Sequence, residues 1–255
     1  MATSLRLGGK LRFLYRAWRY RWRVEPAEIS FVLQHVSTGQ TCLDVGAHRG
    51  AFTYWMQRKV GPNGRVIAFE PQPELARYLA DVKQSFGLQN VEVVHAALSS
   101  SAGECRLYRP TSAPTPSATV ELSAGLDCSV TVPMVTLDEY LCDTSVRPIA
   151  FIKCDVEGHE LDVFRGAESV LIEDRPVLLF ECEQRHRGAS SIDDVFDYLT
   201  SLGYVGHYLE GRQLRALTSL RAEHRVHGHR DYVYNFVFLP RREANDNARL
   251  SGKAA

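Results

Sequence analysis

No run of about 18 apolar residues occurs in the chain, so no segment is suited to cross a bilayer as a helix. The first residues are interspersed with arginine and have no apolar stretch of the kind a secretory leader needs. Of the cysteines Cys42, Cys105, Cys128, Cys142, Cys154 and Cys182, no two form a Cys-x-x-Cys pair, which argues against a zinc knuckle or a dithiol redox motif. Cys42, Cys154 and Cys182 lie in apolar runs that read as central strands, where a thiol acts as a small apolar filler. A reducing, cytoplasmic compartment is therefore expected. Net charge is absent too: 30 Lys and Arg balance 30 Asp and Glu. No global field draws the chain to nucleic acid, and no Asn/Asp-Pro-Pro-Tyr segment suggests a base-methylating pocket.

Acidic residues are missing locally as well. Arg6, Lys10, Arg12, Arg16, Arg19, Arg21 and Arg23 all precede Glu25, the first acid. Leu7, Leu11, Leu14, Trp18 and Trp22 recur among them at helical spacing. Residues 1–39 thus read as a basic helical extension. It either packs on the domain with solvated arginines or makes a peripheral contact with an anionic membrane or an acidic partner. The oligomeric state is not legible.

What is present, in 255 residues, is enough for one α/β domain over 40–240. Short apolar strands at 41–45, 65–69, 91–95, 149–154, 177–182 and 232–239 alternate with amphipathic helices. The pattern predicts a doubly wound, mostly parallel sheet covered on both faces, with ligands at the carboxyl ends of its strands. Residues 109–119 read as a polar, proline-rich loop, and 241–255 as a disordered tail. His224, His227 and His229 lack supporting carboxylates or cysteines and read as a solvated loop.

The first strand ends in Asp44-Val45-Gly46-Ala47-His48-Arg49-Gly50 and leads into a helix. Gly46 and Gly50 let the backbone turn sharply and approach a ligand. Glu70 closes the second strand, where an acid can accept hydrogen bonds from ribose hydroxyls. A dinucleotide site needs a further glycine where Asp44 stands; a carboxylate there repels phosphate and suits a cationic amino-acid end. The residues therefore favour S-adenosylmethionine over NAD.

Five blocks in order carry a more specific resemblance: Leu43-Asp44-Val45-Gly46-Ala47-x-x-Gly50, Ala68-Phe69-Glu70-Pro71-Gln72-Pro73, Val135-Thr136-Leu137-Asp138-Glu139-Tyr140, Ile152-Lys153-Cys154-Asp155-Val156-Glu157-Gly158-His159-Glu160 and Arg165-Gly166-Ala167. Over residues 40 to about 240 the chain resembles the FkbM family of class I methyltransferases. His48 and Cys154 stand where that family usually has Asn and Ile. The resemblance implies a Rossmann-like, seven-stranded sheet ending in an antiparallel hairpin, and O-methylation of a hydroxyl on a saccharide, glycolipid or related small molecule. N- or carboxyl-methylation and a non-catalytic cofactor-binding scaffold are the alternatives. Asp44, Gly46, Ala47, His48, Gly50, Glu70 and Asp155 are expected to bind the cofactor. Asp155 and Glu157 are expected to face the reaction, with His159 as base or base-orienting residue. Glu181 and His186 are expected to contact the acceptor. A divalent cation on Asp155, Glu157 and Glu181 is the alternative way to activate a hydroxyl and is not expected.

Overall fold

A computed structural model of the chain describes residues 4–120, 128–142, 144–186 and 191–241. Helix α1 (Leu7–Arg19) runs into a π-helical turn over Tyr20–Val24 and then into α2 (Pro26–His35). Pro26 opens α2 without loss, since the first amides of a helix have no internal partner. The predicted alternation follows: β1 (Thr41–Val45), α3 (Ala51–Val60), β2 (Arg65–Phe69), α4 (Pro73–Phe86) and β3 (Val91–Val94). Next come β4 (Ala97–Leu98), β5 (Gly103–Arg109), β6 (Cys128–Val135) and α5 (Leu137–Leu141). The chain then returns through β7 (Ile149–Cys154), α6 (Glu160–Arg165), α7 (Glu168–Glu173), β8 (Val177–Glu181) and α8 (Ile192–Ser201). It closes with β9 (Tyr204–Glu210), β10 (Gln213–Ala216) and β11 (Asn235–Pro240).

The main sheet has the order β10-β9-β11-β8-β7-β1-β2-β3. Pairing is parallel from β8 to β3, while β11, β9 and β10 pair antiparallel. The fold is thus a mostly parallel α/β sheet with an antiparallel edge, with eight strands rather than the expected seven. The extra strand arises because Gly211, at a φ of +56°, lets β9 turn straight into β10. The last strand begins at Asn235, not Tyr232.

Residues 103–109 and 128–135 add strands beyond those read from the apolar runs. They form an antiparallel pair, and with β4 they make a second sheet of order β4-β6-β5. Its alternation is visible in hindsight: Leu107 and Val132 are buried while Arg106 and Thr131 are not.

The N-terminal segment is integral to the core. Phe13, Ala17, Ile29 and Val32 pack with Trp55 and Met56 of α3 and with Cys42 and Phe151 beneath. Trp55 Nε1 donates to the carbonyl of Ala17 at 2.9 Å, which fixes α1 on the domain. Cys42, Cys154 and Cys182 are buried, and no disulfide joins the cysteines among the described residues. Arg241 is the last described residue, so the expected tail beyond it lies outside the described residues. The chain runs from β1 outward to β3 and later from β7 outward to β8, so the switch in strand order falls between β1 and β7. That gap directs attention to the carboxyl ends of these strands.

Candidate active site

A cavity of about 240 Å³ lies over the ends of β1, β2, β7 and β8. Gly46 and Ala47 follow β1 and enter its wall. Their amides both donate to the carbonyl of Phe69, each at 3.0 Å. Gly46 has a φ of +75°, and a Cβ there would meet the backbone oxygen of Asp155 at 1.8 Å. Only glycine lets the ends of β1 and β7 pass this closely.

His48 also takes a positive φ, +48°, and its amide donates to Glu70 Oε2 at 2.7 Å. Glu70 Oε1 accepts from the Gln72 amide at 2.8 Å. Burial pushes the Glu70 carboxyl up to about 7. Each of its oxygens keeps a second accepting position, on a residue that lines the cavity. Burial first, then Arg49 and Arg16, hold the His48 imidazole down to about 4, so at neutral pH it enters the wall uncharged. Asparagine tolerates positive φ at least as well as histidine, whereas valine does not. His48→Asn is therefore expected to unfold within about 1 kcal/mol of the parent, and His48→Val to lose about 1–3 kcal/mol. Chemical denaturation of the two variants checks this.

Asp44 and Gly50 stand outside the cavity wall. Asp44 is fully buried; Oδ2 accepts from Thr53 Oγ1 at 2.5 Å, while Oδ1 has no partner. Burial raises its pKa against the pull of nearby Lys153. Gly50 caps α3, and its missing side chain leaves room for Leu79 of α4.

The segment after β7 supplies the acids. Lys153 is buried within the strand and donates to Asp155 Oδ2 at 3.1 Å. Asp155 Oδ1 makes no hydrogen bond among the described residues. Glu157, at a φ of +54°, places Oε2 2.6 Å from His186 Nδ1, and this bond raises the pKa of His186. His186 stands behind Glu157 rather than in the wall. Glu181, ending β8, is pushed up to about 10 by burial first, then by Asp155 and Glu157. Asp155, Glu157 and Glu181 each present an oxygen within 4.8 Å of the others. His159 lines the same cavity, with Nε2 2.9 Å from Ser99 Oγ and Nδ1 3.8 Å from Asp162. Among the described residues, His224, His227 and His229 form no metal-holding group.

Several wall residues have no local signal in sequence. Arg16, Tyr20 and Glu25 reach the cavity from α1 and its π-turn. Glu25 is pushed up to about 8, by burial first and against the pull of Lys153. Pro116 and Ala118 come from the proline-rich loop, and Val120 follows it. That loop is pinned in place: Gln72 Nε2 donates to the Thr115 carbonyl, Gln72 Oε1 accepts from the Thr115 amide, and Thr119 Oγ1 donates to the carbonyl of Glu157.

Glycine-mediated strand crossing, an acid closing β2 and an acidic cluster after β7 coincide with one family's pattern. Residues 44–205 match the methyltransferase FkbM domain. The chain belongs to the FkbM methyltransferase family.

Among similar proteins, the hexuronic acid methyltransferase AglP of Haloferax volcanii is 28% identical over 156 residues, covering 60% of this chain and 61% of that protein. Methyltransferase sdnD of Sordaria araneosa is 27% identical over 155 residues, covering 49% of this chain and 60% of that protein. The chain thus spans about three fifths of the curated relatives it matches. A crystal structure of methyltransferase FkbM from Methylobacillus flagellatus superposes with a TM-score of 0.52 at 15% identity, covering 92% of this chain and 56% of that one; it shares the fold.

Proposed function

We propose that this FkbM domain transfers a methyl group from S-adenosylmethionine to a hydroxyl of a saccharide, glycolipid or related small molecule. The observation that carries the reading is the shared cavity that Gly46, Ala47, His48 and Glu70 line beside Asp155, Glu157 and Glu181. When bound, the cofactor supplies a methyl group on a positively charged sulfonium. The residues fit such a group: Glu70 retains acceptor capacity for ribose hydroxyls, and the Asp155 and Glu157 side chains in the same wall can face its cationic end. Asp44 sits behind the wall, where its carboxylate braces the loop through Thr53.

Asp155 is the proton acceptor in this reading, because Lys153 fixes one oxygen and leaves the other free. Glu181, protonated at neutral pH, donates a hydrogen bond to hold the acceptor oxygen, and Glu157 is oriented by His186. His159 is held by Ser99 beside them and acts as a positioning residue. Tyr20, Phe69 and Leu107 keep the cavity partly apolar, which limits water at the transfer. That AglP is a hexuronic acid methyltransferase favours a saccharide acceptor.

The test is release of S-adenosylhomocysteine over a panel of hydroxyl, amine and carboxyl acceptors. Asp155→Asn is expected to reduce turnover with a hydroxyl by about 10²–10⁴-fold. Product only from amines or carboxylates transfers the reading to those acceptors. Cofactor binding without product from any acceptor marks a scaffold. A second reading, a divalent cation on Asp155, Glu157 and Glu181, is favoured by their oxygens lying within 4.8 Å of one another. Turnover unchanged by EDTA rejects it.

A further inference from the structure

The first helix has three sides. Phe13 and Ala17 are buried against α3, and Arg16 and Tyr20 reach the cavity. On the opposite side Leu7, Leu11, Tyr15, Trp18 and Trp22 are 73, 59, 67, 46 and 57% exposed. Steps of three and four residues keep this set along one face. Arg12, Arg19 and Arg23 are exposed beside it. No acid occurs from Ser4 to Val24.

We propose that this outer face of α1 and its π-turn is a docking surface for a bilayer containing anionic lipid, independent of the chemistry in the cavity. The residue types match the two layers such a surface meets. Leucines and tryptophans can enter the boundary between headgroups and acyl chains, and flanking arginines can pair with lipid phosphates. The face is firmly mounted: Trp55 holds the Ala17 carbonyl, the Trp18 ring meets Trp55 edge-on at 5.0 Å, and the Arg21 guanidinium lies 4.4 Å from the Trp55 ring centre. No folding on binding is therefore required to present it. Among the described residues no helix is long and apolar enough to cross a membrane, so the contact lies on the surface.

Charge separates this occupant from the others. A second copy joined through the same face would set one arginine row against another, with no acid in the segment to relieve it. A single-stranded nucleic acid would use the arginines and aromatic rings but gains little from leucines exposed at 73 and 59%.

The experiment is co-sedimentation of the full chain with vesicles of phosphatidylcholine alone or with one quarter phosphatidylglycerol. Binding is expected to the anionic vesicles only, to weaken in high salt, and to blue-shift tryptophan emission as Trp22 enters the interface. L7Q/L11Q is expected to weaken binding on the order of tenfold or more, because both side chains leave water on docking. Its thermal midpoint should match the parent, since neither side chain is buried in the domain. Unchanged vesicle binding in L7Q/L11Q overturns the proposal, as does no binding of the parent to anionic vesicles. Self-association that L7Q/L11Q abolishes, or a single-stranded oligonucleotide bound in preference to the vesicles, overturns it in favour of that partner.

Discussion

Gly46→Ala is expected to lower stability by several kcal/mol and to remove measurable binding of S-adenosylmethionine. Two effects combine at this position. A φ of +75° is strained for any residue with a Cβ, by about 1–2 kcal/mol. The added carbon would also lie 1.8 Å from the Asp155 carbonyl oxygen, a backbone atom that no rotamer change can move. Relief requires the ends of β1 and β7 to separate, although the Asp155 amide bonds the Val45 carbonyl at 3.0 Å. Gly39 provides the control: its φ is +84°, yet nothing lies within 4 Å of where its Cβ would stand. Gly39→Ala should show the strain alone, about 1–2 kcal/mol, with cofactor affinity intact. Denaturant titration and calorimetric binding on both variants decide the matter. Equal losses in the two would mean that the approach of β7 to Gly46 is not what the position requires.

Lys153→Met is the second large effect, expected to destabilise by about 3–5 kcal/mol at neutral pH. The ammonium is buried beside Asp155, Asp44 and Glu25, and together these acids hold its pKa above the usual lysine value despite the opposing effect of burial. A raised cationic pKa gives stability that is fully present below about 10.4 and is lost only as pH rises beyond it. The acids act in the opposite sense. Glu25 and Glu181 ionise near 8 and near 10 in the fold, whereas both start from 4.5. Above about pH 5 the unfolded chain has released protons that the native chain still holds, so native stability falls as pH rises toward these values. The parent is expected to melt highest in mild acid. Glu181→Gln should flatten the decline, and Lys153→Met should steepen it by leaving the acids without their cation. Melting curves from pH 5 to 9 measure this; a parent midpoint rising over that interval contradicts the assignment.

The legible parts of this molecule are those written locally. Apolar strands alternating with amphipathic helices predict the parallel sheet because burial on both faces demands that pattern. Gly46 and Glu70 stand at strand ends, where such folds place ligands. Asp44 does not reach where its motif suggests: one residue before Val45 on a strand, its side chain turns to Thr53 under the loop instead of into the cavity. Lys153, between Ile152 and Cys154, carries a signal of its own, since a lysine inside a central strand needs partners. Arg16, Tyr20 and Glu25 cannot be found locally, because only the tertiary fold brings them to the ends of β7 and β8. Gly103–Arg109 and Cys128–Val135 are short alternating strands whose pairing depends on residues far apart in the chain.

The wall formed by Arg16, Tyr20 and Glu25 also has a bearing on how the molecule comes together. These residues are made before any strand of the sheet, yet their neighbours Lys153 and Asp155 follow long afterwards. The contacts joining them are among the most non-local in the fold, and closing so long a loop is slow. During synthesis α3 can cover the inner side of the first helix early, whereas Arg16, Tyr20 and Glu25 lack their partners until β7 emerges. The cavity becomes complete only at a late stage of assembly, when the oldest part of the chain settles against one of its younger parts.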